Sequence, residues 1–93
     1  MILLEENVTI LNEKGLHART SAKVSQVASQ FKCQIKISNL GTSTAADAKN
    51  IMQLLMLSAT KGTNLKITCQ GSDAPIACEA IVTLFKTGFT QLC

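Results

Sequence analysis

No tryptophan and no tyrosine occur in this 93-residue chain, and it has three phenylalanines, one proline, one histidine and one arginine. Small nucleic-acid binders draw on stacking aromatics or a dense basic stripe. Here the lysines are spread along the chain and the formal charge is only +3, so nucleic acid is not an expected partner. Long apolar runs are also missing. The longest, "IMQLLML", falls far short of the roughly 20 residues that a membrane span needs. "MILLEEN" turns acidic within a few residues and lacks a basic leader, so a secretory signal is not expected and the cytoplasm is the expected residence. The four cysteines, Cys33, Cys69, Cys78 and Cys93, are scattered with no C-x-x-C pair, and one histidine cannot complete a two-Cys, two-His zinc site. No metal is expected. Cys33 and Cys69 fall at apolar positions of predicted strands, where free cysteine acts as a small hydrophobe; an oxidised scaffold is the lesser alternative.

What is present suits one small folded domain. With 46% hydrophobic and 16% charged residues, the chain has apolar material for a single core and too little charge for a disordered tail. A single domain over 1–93 is expected. Three segments alternate with period two: "NVTIL" with Val8 and Ile10, "CQIKIS" with Cys33, Ile35 and Ile37, and "LKITCQ" with Leu65, Ile67 and Cys69. The intervening Gln34, Lys36, Ser38, Lys66, Thr68 and Gln70 are polar. Strands with one dry and one wet face predict an antiparallel sheet covered on one side. "GTSTA" offers a short edge strand.

Helical periodicity fills the remainder. Ala18, Ala22, Val24, Val27, Ala28 and Phe31 predict a helix over 18–31, and Ala48, Ile51, Met52, Leu55 and Ala59 another over about 46–59. A third, over 73–87, carries the rows Ile76/Ala80/Leu84 and Ala77/Ile81/Phe85. Ser72 or Asp73 can cap it, Pro75 suits its first turn, and Gly88 followed by Phe89 suits a Schellman-type stop. The order β-α-β-β-α-β-α predicts an α+β two-layer fold with helices on one face of the sheet.

"GLHART", residues 15–20, concentrates the chemistry. Lys14–Gly15 breaks the first strand and helical periodicity begins at Ala18, so His17 falls at or next to the helix N-cap. Four backbone N–H groups lack acceptors at that end, and the helix dipole adds partial positive charge, which together suit an anion. Histidine, with an unperturbed pKa of about 6.5, is largely neutral near pH 7 and therefore nucleophilic. A phosphoryl group taken by an imidazole nitrogen would meet helix amides, and the guanidinium of Arg19 suits phosphate oxygens. Judged by spacing alone, the same six residues fit an ordinary surface histidine with no task.

"GLHAR" after "NVTI", then "AKNIMQLLML", "KG" and a closing amphipathic helix, resembles the HPr family, the histidine phosphocarriers of the bacterial phosphoenolpyruvate-dependent phosphotransferase system. The resemblance runs from about Asn7 to Phe89. "LLML…KG" and "LFKTGF" look closer to the nitrogen-type branch than to the sugar-type one. It implies an open-faced β-sandwich of four antiparallel strands with three helices on one side. It also implies that His17 is the phosphorylated residue, modified at Nδ1, with Arg19 neutralising the charge and the residues at the helix start, Ala18, Arg19 and Thr20, stabilising the phosphate. Enzyme I as donor and an Enzyme IIA-type acceptor are the implied partners, with Thr20, Lys23, Ile51, Met52 and Leu55 at the docking surface. A monomer and no cofactor are expected, and the protein is a carrier rather than a stand-alone enzyme.

Two positions depart from the family pattern. Thr20 stands where proline is usual, predicting a looser helix entry and an extra phosphate donor. Asn50 stands where many members carry a regulatory serine, and asparagine cannot accept that phosphate. "IMQLLML" is apolar on more sides than one buried face requires. Exposure of some of Ile51, Met52, Leu55 and Met56 is therefore expected, and the resemblance, which puts Ile51 and Met52 at docking positions, favours those two, while Leu54, Leu55 and Leu57 suit either core or surface. An alternative function from a different class is a regulatory module that binds proteins through this patch and is switched by phosphorylation of His17.

Overall fold

The computed structural model describes residues 2–90. Strand β1 (Leu3–Thr9) is followed by helix α1 (Ala18–Ala28), strands β2 (Gln34–Asn39) and β3 (Thr44–Asp47), helix α2 (Ile51–Leu55), strand β4 (Asn64–Gln70) and helix α3 (Ala74–Lys86). The four strands form one sheet in the order β1-β4-β2-β3, and every neighbouring pair is antiparallel. All three helices lie on one face, and the other is open.

The period-two segments place the core as predicted. Val8, Ile10, Cys33, Ile35, Ile37, Leu65, Ile67 and Cys69 are buried, and α3 sends Ala77, Ile81 and Phe85 against them. Each fully buried Leu, Ile or Phe contributes about 1.5–3 kcal/mol relative to exposure. Cys33, Cys69 and Cys78 are free and buried, which supports the reading of Cys33 and Cys69 as small hydrophobes; Cys93 lies outside the described residues. Burial pushes the Cys33 and Cys78 thiols up and lifts Cys69 to about 12. No helix among the described residues is long and apolar enough to cross a membrane.

Several boundaries differ from the sequence expectation. β1 begins at Leu3 and ends at Thr9, and its alternation stops at Ile10, leaving Leu11 exposed. Residues 41–43 turn rather than extend, because the Thr42 and Ser43 amides both donate to the Asn39 carbonyl; the edge strand therefore starts at Thr44. The second helix spans only Ile51–Leu55. Ala46 and Ala48 are buried with period two: Ala46 pairs with Ile37 across the sheet, and the Ala48 N–H donates to Ile35 at 2.9 Å. Met56 is the C-cap of α2, and Ser58 beyond it takes a positive φ of 52°.

Helix α1 ends at Ala28 rather than Phe31, and its buried stripe is Thr20, Ser21, Val24 and Ala28. Ala18 and Ala22, expected inside, are exposed. In α3, Ile76 is 61% exposed instead of buried, because it lies in the first turn, on the flank of the Ala77/Ile81/Phe85 row. Asp73 occupies the N-cap position without capping α3 through its side chain. Its carboxylate accepts instead from the Lys32 and Cys33 amides at 2.8 and 2.9 Å, and these bonds hold it below the usual carboxylate range. The Schellman stop is present: Phe89 N–H donates to Leu84 O at 3.0 Å and Gly88 N–H to Phe85 O at 3.1 Å. The Phe89 ring then meets Phe85 edge-on at 5.1 Å.

Candidate functional site

The turn that delivers His17 depends on a residue with no side chain. Gly15 has φ +63°. A Cβ there would overlap the Ala59 carbonyl oxygen and stand 2.8 Å from Thr60 Cα. The close approach is fastened by Leu16 N–H, which donates to Ala59 O at 2.9 Å. Leu16 itself is buried in the core, so the residue before His17 is anchored. Two side chains hold the Gly15 carbonyl: Asn12 Nδ2 donates to it at 2.8 Å, and so does Thr20 Oγ1 at 2.8 Å.

His17 arrives extended (φ −110°, ψ −170°) and is the N-cap of α1. Its ring is half-buried, and Nδ1 accepts from the Arg19 backbone N–H at 3.3 Å. The His17 N–H in turn donates to Thr20 Oγ1 at 3.1 Å, completing the reciprocal pattern of a capping box, in which the Thr20 amide also faces the imidazole. A nitrogen that accepts an N–H carries no proton in the neutral ring, so this network assigns the proton to Nε2 and leaves the lone pair on Nδ1. The lone pair points at helix amides without intrahelical acceptors. The first turn of α1 contains no acidic residue to compete with an incoming anion.

Around the ring, Asn12, Lys14, Arg19, Thr20 and Phe89 line a surface depression with His17. Arg19 is exposed, and neither of the ion pairs among the described residues engages it. Glu13, also at this rim, is tied to Lys61 at 2.8 Å, and that hydrogen bond holds its carboxyl below the usual range. The one carboxylate lining this depression is thus paired with a lysine of its own.

The sequence-predicted residues divide by position. His17, Ala18 and Arg19 lie together at the helix start, with Lys23 half-buried one turn on. Ile51 and Met52 are exposed at 40% and 67%, and Met56 joins them at 75%. Leu55 is half-buried, whereas Leu54 and Leu57 are core. Helix α2 packs beside α1, so the apolar patch belongs to the helix pair that carries the histidine. Thr20 differs from expectation. It is 3% exposed, which removes its side chain from any docking surface, and its hydroxyl tightens the helix entry instead of loosening it. Asn50 is the N-cap of α2, its Oδ1 accepting from Gln53 N–H at 3.1 Å. Asn12 went unrecognised at the sequence level. An Asn three residues before a turn glycine is the local signal that could have found it. No group of three or more potential metal ligands occurs among the described residues.

An open-faced sheet backed by helices, one of which starts on an accessible imidazole, is the architecture of a phosphocarrier domain. A family model described as the PTS HPr component phosphorylation site matches residues 4–87. The chain belongs to the HPr family of phosphocarrier proteins of the phosphotransferase system. The phosphocarrier protein HPr of Cupriavidus necator is 39% identical over 89 residues, covering 96% of this chain and 98% of that one. The crystal structure of HPr-C-His from Thermoanaerobacter tengcongensis superposes with a TM-score of 0.86 at 34% identity, covering 92% of this chain and 94% of that one. A structure described as an HPr dimer from the same organism gives a TM-score of 0.72 at 34% identity, covering 88% and 92%.

Proposed function

We propose that His17 carries the phosphoryl group, accepting it on Nδ1 from phosphorylated Enzyme I and passing it to an Enzyme IIA-type acceptor of the sugar or nitrogen branch. One observation supports this above the rest: Nδ1, unprotonated in the neutral ring, sits against the first-turn amides of α1, which a phosphoryl group bound there would take over. In the transfer the Nδ1–P bond forms while the donor–P bond breaks, the bonding pair leaving with the donor; the ring keeps its proton on Nε2. The phosphoryl group takes the position in front of Nδ1, and its oxygens inherit the Arg19 N–H together with the amides of Ala18 and Thr20. The exposed Arg19 side chain adds a positive charge. Positioning and charge stabilisation are what phosphoryl transfer asks of a protein. The group remains transferable because a P–N bond is labile.

Docking rests on the exposed Ile51, Met52 and Met56, with Leu55 and Lys23 at the margin. Methionine adapts to more than one partner, as a carrier with a donor and an acceptor requires. In this reading the domain works in the cytoplasm as a monomer, with no metal or cofactor of its own. The same exposed patch also favours a second reading, a regulatory module whose binding is switched by phosphorylation. The test is phosphoryl relay from Enzyme I to a purified Enzyme IIA-type acceptor, with acceptor binding measured in parallel. His17→Ala abolishes relay, and Arg19→Ala slows it without abolishing it. Relay surviving in His17→Ala sinks the carrier reading. Acceptor-binding activity that persists and suffices for function in His17→Ala favours the module.

A further inference from the structure

We infer that Thr20 is a positioning residue for the reaction at His17, its hydroxyl holding in place the backbone on which the imidazole is mounted. This rests on the carrier reading and names how this chain sets up the site without the usual proline. A proline fixes φ by its ring and has neither an N–H nor a hydroxyl. Thr20 reaches the same end by hydrogen bonding. Its single O–H donates to Gly15 O at 2.8 Å, while its lone pair accepts from His17 N–H at 3.1 Å. The longer 3.4 Å approach to His17 O is at most a weak second branch of the same O–H.

The hydroxyl therefore ties the residue two before the histidine to the histidine's own amide. Because Thr20 is only 3% exposed, these bonds are largely shielded from water. Asn12 Nδ2 takes the other approach to Gly15 O, at 2.8 Å, so two side chains fix one carbonyl. The geometry thus fixed is the one that keeps Nδ1 within 3.3 Å of the Arg19 N–H. Thr20 also keeps a backbone N–H where proline has none, and that amide faces the imidazole as a further donor.

Three variants test this: Thr20→Val, which keeps shape and amide but loses the hydroxyl; Thr20→Ser, which keeps the hydroxyl; and Thr20→Pro, which loses both. Each is assayed for the rate of phosphorylation by Enzyme I and phosphoenolpyruvate, the lifetime of the phosphorylated form, and the imidazole 15N chemical shifts of the unphosphorylated protein. Thr20→Val is expected to slow uptake about tenfold, within the hundredfold that a 1 Å misplacement can cost. It should also move the Nδ1 resonance, with Thr20→Ser restoring both. Thr20→Pro should recover uptake relative to Thr20→Val, yet shorten the lifetime of the phosphorylated form by removing an amide donor. Uptake and Nδ1 shift unchanged in Thr20→Val, or a failure of Thr20→Ser to restore them, overturns the inference. If the wild-type protein takes up no phosphoryl group, the carrier reading fails, while the 15N shifts still decide whether Thr20 orients the ring.

Discussion

Replacing Gly15 by alanine tests whether the histidine's turn is set by close backbone contact. The native φ of +63° lies in the left-handed region, which costs an L-residue about 1–2 kcal/mol. The new methyl group would also overlap the Ala59 carbonyl and crowd Thr60 Cα, so the two segments must separate. Separation breaks or stretches the 2.9 Å bond from Leu16 N–H to Ala59 O, worth about 0.5–1.5 kcal/mol net. Together these cost about 1.5–3.5 kcal/mol. In a domain of this size each kcal/mol lowers Tm by about 4–8 °C, so a fall of at least about 6 °C is expected by calorimetry or circular dichroism. Phosphoryl uptake at a temperature where the variant is folded should fall as well, since His17 lies two residues further on. A Tm within about 3 °C of wild type, with uptake unchanged, would refute the claim that this contact fixes the site.

Other outcomes follow from single features. Met52→Glu, at an exposed position of α2, should lower relay to the acceptor while leaving Tm nearly unchanged; unaltered relay removes Met52 from the docking surface. Because Asn50, the N-cap of α2, has no hydroxyl to phosphorylate, incubation with HPr kinase should leave no phosphate at this helix start, whereas Asn50→Ser should accept one; intact-mass measurement reads both. The Cys69 thiol, lifted to about 12 from 9.0, keeps its proton in the folded protein where the unfolded chain loses it. Stability is therefore unaffected below about pH 9 and falls as pH rises toward 12. The fall in Tm over that window should be shallower in Cys69→Ala, and equal slopes would contradict the assignment.

The sequence made the strands legible because their alternation is strict: Ile35, Ile37, Leu65 and Ile67 face inward, with Lys36, Lys66 and Thr68 between them. It also placed the N-cap, since Gly15 breaks one pattern just before Ala18 starts another. Ala46 and Ala48 misled the reading of α2 because alanine favours helices while their burial here has the period of a strand. In α1 the buried stripe includes Thr20 and Ser21, and a hydrophobic pattern cannot register a hydroxyl such as that of Thr20, buried with the Gly15 carbonyl to bond. The contact of Gly15 with Ala59 lies between segments distant in sequence, and nothing local announces it. What stayed illegible was thus the long-range and polar part of the site, where Asn12, Gly15 and Thr20 share one carbonyl.

The most direct measurement is intact-mass analysis of the purified protein after incubation with Enzyme I and phosphoenolpyruvate, followed by mild acid and mild base. The account predicts one added phosphoryl group, lost in acid, retained in base and carried on Nδ1 of His17. No adduct, or one that is acid-stable and base-labile, would contradict it.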